Sequence, residues 1–140
     1  MSHKTDVVVI GAGPVSLFAV FELGLLNLKC HLIDNLDKIG GQCAELYPEK
    51  PVYDIPSRPR ITGEELISEL ILQAKPFEPV FHLNQQADSI EKVGEEWKLT
   101  TSSNTVIQAR CIVIAAGAGS FVPRRPPIKN IELFENLMMS

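Results

Sequence analysis

The chain has 140 residues, of which 45% are apolar and 21% charged, the balance of a single soluble globular domain. Its formal charge of −4 argues against general nucleic-acid binding, which needs a basic face. The longest apolar runs, Val7–Ile10 and Cys111–Ala116, are far shorter than the roughly 18 residues of a membrane span. The N-terminal Met-Ser-His-Lys-Thr-Asp leads straight into an apolar strand, so no secretory leader is read, and three cysteines without a close pair point to a reducing cytoplasm.

Asp6–Ile10 is short, almost wholly apolar and rich in β-branched residues, which predicts a strand buried on both faces, as in a parallel sheet. After Gly11-Ala12-Gly13-Pro14-Val15-Ser16, the stretch Leu17–Asn27 carries Leu17, Val20, Phe21 and Leu25 at helical spacing. Cys30–Asp34 predicts a second buried strand ending on a carboxylate, and the resulting β-α-β unit must cross over right-handed. Residues 35–60 hold Gly40, Gly41, Pro48, Pro51, Pro56 and Pro59 with little periodicity, and a long irregular segment of this kind is often functional. Thr62-Gly63-Glu64-Glu65 fits a capping box opening a helix that reaches about Lys75 and is stopped by Pro76, with Leu66, Ile67, Leu70 and Ile71 as its buried stripe. Val80–Leu83 is a third short strand. A meander follows over Ala87–Val93, Trp97–Thr101 and Thr105–Ala109, and Cys111–Ala116 is a further buried strand running into Gly117-Ala118-Gly119. The expected class is α/β: a Rossmann-like parallel sheet with helices and a three-stranded antiparallel meander.

The chemistry is concentrated in four places. In Gly11-x-Gly13-x-x-Ser16, Gly11 permits a tight turn, Gly13 lets a pyrophosphate approach the backbone, and Pro14 sits in the first helical turn, where its missing N–H costs nothing. Ser16 replaces the usual third glycine, which predicts a slightly looser helix–strand contact. Asp34, about 20 residues after Gly13 at a strand end, suits the hydroxyls of a ribose and would repel a 2′-phosphate; otherwise it is a solvated strand-end acid. Gly40-Gly41-Gln42 is either a plain turn or backbone passing close to a ligand that extends beyond the pyrophosphate, which FAD would and NAD would not require. Ala115-Ala116-Gly117-Ala118-Gly119 is either a strand-to-loop turn or a second glycine-rich approach to the same nucleotide.

Other chemistries find little support. There is no Cys-x-x-Cys, and Pro48 stands where Cys43 would need a partner for a flavin disulfide relay, so Cys30, Cys43 and Cys111 read as packing residues. His3, His31 and His82 show no metal-ligand spacing with the cysteines, and no residue is singled out as catalytic or metal-binding.

Val7-Val8-Val9-Ile10-Gly-Ala-Gly-Pro, the stretch Gly40–Lys50 with its Leu46-Tyr47-Pro48-Glu49-Lys50, Tyr53-Asp54-Ile55-Pro56, and Gly117–Arg124 with Gly119-x-Phe121-x-Pro123-Arg124 together resemble the thioredoxin-reductase-like class of ferredoxin/flavodoxin–NADP reductases. The resemblance runs from about Thr5 to Asn136. It implies a homodimeric FAD enzyme passing electrons between NADPH and ferredoxin or flavodoxin. It further implies that Asp34 holds the adenosine ribose and Gln42 contacts the flavin side of FAD. Tyr47 would stack on the isoalloxazine, backbone at Ala87 would meet the adenine, and Phe121 would line the cofactor. By its own surroundings Tyr47 is equally a turn tyrosine beside Pro48.

Against that family, Ser16 replaces glycine and Ser57-Arg58 replaces glycine and an apolar residue near the flavin loop. No second Gly-x-Gly-x-x-Gly for NADPH follows. The expected organisation is an FAD-binding domain over residues 1–125 and the start of a linker over 126–140, the front of a longer reductase cut short by a frameshift or split gene. The competing expectation is a non-catalytic nucleotide-binding module. Arg58, Arg60, Arg124 and Arg125 are either a solvated face or a steering patch for an acidic ferredoxin.

Overall fold

Parallel pairing around one buried strand organises the molecule, a computed structural model that describes residues 2–120. Strand β1 (Ser2–Ile10) leads into helix α1 (Pro14–Leu25) and returns as β2 (Cys30–Ile33); a short helix α2 (Gly41–Glu45) and a two-stranded ribbon, β3 (Pro51–Val52) with β4 (Ile61–Thr62), precede helix α3 (Gly63–Ala74). A 3₁₀ turn at Lys75–Phe77 leads to β5 (Val80–His82), and β6 (Ala87–Val93), β7 (Glu96–Thr101) and β8 (Val106–Ile114) complete the sheet. Its six strands lie in the order β5-β2-β1-β8-β7-β6. β1 is parallel to both β2 and β8, and β5 is parallel to β2, while β6, β7 and β8 are antiparallel in sequence.

The alternation of side chains along β1 sorts the core into two layers. Val7 and Val9 face one way with Cys30 and Leu32, and pack against Val20 of α1 and Ala74 of α3. Val8 faces the other way with Ile33, and meets Leu99, Ile107 and Ala109 from the meander. Val9, Leu32, Leu99 and Ile107 are fully buried, each contributing about 1.5–3 kcal/mol by leaving water. This two-sided cover is why Val7–Ile10 is apolar throughout instead of alternating. Helix α3 opens on the predicted capping box: Glu65 N–H donates to Thr62 Oγ1 at 3.1 Å, and Thr62 N–H donates to Glu65 Oε2 at 2.8 Å.

The structure corrects the sequence reading at several points. Thr105–Ala109 and Cys111–Ala116 are not two strands but parts of one, β8, which ends at Ile114. Its first half is flanked by β7 and β1, its second half, among the described strands, by β1 alone, because the pairing with β7 stops at Ala109. Cys111 is consequently exposed and Ile114 is 74% exposed, where a buried strand was expected. Helix α1 begins at Pro14, earlier than the apolar spacing suggested, since Gly13 is its N-cap. The segment read as irregular contains α2 and β3. Helix α3 does end at Ala74, just before Pro76 as expected, and Pro76 then sits inside the 3₁₀ turn, where a missing N–H is harmless. Leu66 and Ile67 are buried as expected, whereas Leu70 and Ile71 are only half-buried.

Candidate cofactor site

The C-terminal ends of β1, β2 and β8 open into a cleft of about 520 Å³, the position at which open α/β sheets bind ligands. Gly11, Gly13, Pro14, Asp34, Gln42, Tyr47, Ala87 and Gly117 all line it. Phe121, and with it Arg124, Arg125 and the linker over 126–140, lies outside the described residues.

The turn after β1 is held by backbone bonds to its neighbours. Gly11 N–H donates to Ile33 O at 2.7 Å, and Gly40 N–H donates to Ala12 O at 2.9 Å. Gly11 has φ +109°, and a Cβ there would collide with the Ala115 carbonyl. Gly13 differs: its φ of −80° suits any residue, and a Cβ would meet no atom of the described residues within 4 Å. The described fold does not demand glycine at 13, and its absent side chain leaves open space over the backbone at the cleft. α1 begins there with no side chain capping its first turn, so the N–H groups of Val15 and Ser16 and the helix dipole are left for an anion. Ser16 is fully buried, and its hydroxyl donates to Ala115 O at 3.5 Å.

Asp34 is oriented by the chain itself. Ala12 N–H donates to Oδ2 at 2.7 Å and Leu36 N–H to Oδ1 at 2.9 Å. A carboxylate offers about four lone-pair directions, so acceptor capacity remains for a diol facing the cleft. At the pair Gly40-Gly41, packing within the protein is explanation enough. A Cβ on Gly40 would lie 2.5 Å from Ala44 Cβ, and one on Gly41 would lie 3.2 Å from Gly13 Cα. The pair therefore seats the second loop against the first, and α2 begins there, placing Gln42 at the cleft.

Tyr47 is half-buried, with Lys50 Nζ 5.4 Å from its ring centroid. Desolvation, and then the neighbouring Cys43, push its phenol upward, so it stays protonated at neutral pH. Ala87 opens β6 at a register shift, a bulge that interrupts the ladder beside the cleft. Asn35, Leu36, Gln85 and Gln86 also line the cleft and escaped the sequence reading. Asn35 and Leu36 follow directly on the strand-end carboxylate, which was the available signal. Of the arginines, Arg58 is ion-paired with Glu69, so its charge is largely spent within the chain. Ser57 adopts φ +66° in a turn closed by Arg58 N–H to Ile55 O at 3.0 Å, a left-handed position where glycine is the easier residue.

The fit to FAD is favourable on these grounds: an uncapped helix start, open space over Gly13, a carboxylate with spare acceptors, and one continuous cleft from Asp34 to Tyr47 and Gly117.

No family model matches the chain. It is 60% identical over 135 residues to the ferredoxin–NADP reductase of Rickettsia felis, covering 96% of this chain and 40% of that protein. It is 58% identical to the ferredoxin–NADP reductase of Nitrobacter winogradskyi, with the same coverage. The chain thus spans about 40% of the length of the curated relatives it matches. In three dimensions it is similar to the thioredoxin reductases of Lactococcus lactis (TM-score 0.71, 22% identity, 95% of this chain and 41% of that one) and Streptococcus pyogenes (TM-score 0.72, 21% identity, 94% and 40%). At that level of identity the likeness is one of fold. Among the described residues no helix is long and apolar enough to cross a membrane.

Proposed function

From its kinship with the ferredoxin–NADP reductases, we propose that this chain is the FAD-binding portion of such an enzyme, which moves electrons between NADPH and ferredoxin or flavodoxin. The observation that carries the reading is the single cleft joining the Gly11–Gly13 turn, Asp34, Gln42, Tyr47 and Gly117. FAD, when bound, supplies the acceptance of hydride and the release of single electrons. The chain supplies position. The first-turn amides of α1 and the bare backbone at Gly13 hold the pyrophosphate, and Asp34 accepts the ribose hydroxyls. Backbone at Ala87 borders the adenine. Gln42 contacts the flavin side, and Tyr47 offers its aromatic face there. No side chain is required as a general base, because the electron chemistry belongs to the cofactor. The working enzyme is placed in the cytoplasm as a homodimer, with NADPH bound by a part of the protein beyond this chain.

The test is colour and its bleaching. The purified chain should take up one equivalent of FAD, shown by flavin absorbance and quenched fluorescence, and Asp34→Ala should abolish this. A chain that never retains FAD overturns the reading. A yellow chain whose flavin, once bleached by dithionite, returns no electrons to ferredoxin is the non-catalytic binding module, the alternative that coverage of about 40% of the relatives keeps in play.

A further inference from the structure

His3 of β1, His31 of β2 and His82 of β5 stand on strands that are neighbours in the sheet, away from the cofactor cleft. Their rings form a closed triangle, with centroids 5.4 Å apart for His3–His31, 4.9 Å for His3–His82 and 5.1 Å for His31–His82. One nitrogen from each lies within 4.8 Å of the others, and His31 Nδ1 is 3.0 Å from His82 Nε2. We propose that His3, His31 and His82 form a binding site for a divalent transition-metal ion, with Zn²⁺ as its occupant.

Tetrahedral Zn²⁺ with Zn–N bonds of about 2.0–2.1 Å separates its ligand nitrogens by about 3.3 Å. The His31–His82 pair already stands close to that spacing. His3, near the start of β1, has at most about 1.5 Å to close, within reach of a side-chain rotation. Imidazole is a borderline ligand that suits zinc, and a set of three leaves one position open to water. His82 is nearly buried while His3 and His31 are half-exposed, which gives a floor and an entry path. In the metal-free protein the His31–His82 contact is a hydrogen bond between neutral rings, and nothing in that bond requires a third histidine against both.

The ion would bind β1, β2 and β5 together directly behind the cofactor site. β2 runs from His31 into Asp34, and Asp34 N–H donates to His82 O at 3.1 Å. The proposal does not depend on FAD or on the reductase reading, and its test uses neither.

The untagged chain is stripped with a chelator, desalted and titrated with Zn²⁺ by calorimetry and with Co²⁺ by visible absorption. One equivalent is expected, with Co²⁺ bands in the tetrahedral region. His3→Ala and His31→Ala should each weaken Zn²⁺ binding by at least about tenfold while leaving the circular dichroism spectrum unchanged. A Cys43→Ser, Cys111→Ser double variant should bind as the parent does. Absence of binding at micromolar Zn²⁺, or a His3→Ala variant that binds as tightly as the parent, overturns the site. Loss of binding in the double-cysteine variant does the same by assigning the ion to thiolates.

Discussion

Gly11-Ala12-Gly13 and Gly117-Ala118-Gly119 both follow central strands and both line the cleft, yet they are held in different ways. The first is pinned on all sides. Ile33, Gly40 and Asp34 all bond to it, and Ala12 is fully buried. The second is exposed among the described residues, with a bond from Gly119 N–H to Ala116 O at 2.8 Å and no atom of the described residues within 4 Å of a Cβ on either glycine. One turn is a cradle that exists before any ligand arrives. The other borders the cleft with little protein support and gains most from what it touches. Preorganisation, which spares the ordering cost of binding, is thus concentrated on the phosphate side.

Substitutions can break this contrast. Gly11→Ala carries the largest expected effect, a loss of about 3 kcal/mol in urea denaturation, since the new Cβ meets the Ala115 carbonyl at a φ that L-residues avoid. A variant as stable as the parent would show that the first turn is not the rigid one. Asp34→Ala should cost about 1–3 kcal/mol by leaving the buried Ala12 N–H without its acceptor, in addition to abolishing FAD retention. Gly117→Ala should cost only about 1 kcal/mol, the strain of its left-handed φ of +57°, with no clash to add. Gly13→Ala sharpens the contrast most. Its stability should fall by no more than about 1 kcal/mol, the difference between glycine and alanine at an N-cap, while FAD affinity falls roughly tenfold or more. Equal losses of folding and binding at 13 would mean that glycine serves the fold there. The smallest effect is chemical. Cys30, opening β2 opposite Val7 of the strand that leads to the first turn, is buried, and desolvation followed by the nearby Asp6 pushes its thiol up to about 11. Thiol reagents at mildly alkaline pH should therefore label Cys111, on the strand leading to the second turn, well before Cys30.

Much of this was readable from the residues. The capping box at Thr62–Glu65, the first β-α-β unit and the meander follow from local rules that need no knowledge of the rest of the chain. The grouping of Gly13 with Asp34 was accessible because one helix and one strand fix their separation. What was lost depends on distant neighbours. Nothing local says that residues 105–116 make one strand, because the alternation changes meaning where β8 parts from β7. The exposure of Cys111 and Ile114 follows from that same parting. The histidines were dismissed for want of spacing, and only the order β5-β2-β1 brings together residues so far apart in sequence. α2 was hidden by the Gly40-Gly41 pair, whose composition signals a turn although the second glycine begins a helix.

The place of β8 also sets an order of events on the ribosome. β1 is among the first segments to emerge, and its partners across the widest register, Val7 with Cys111 and Ile10 with Ile114, are among the last of the sheet. Until β8 has been made, β1 can pair only with β2, and its other edge presents unpaired backbone and the apolar Val7–Ile10 run. The closing step is therefore a non-local parallel pairing, an intrinsically slow kind, and the nascent chain is most open to misassociation just before it.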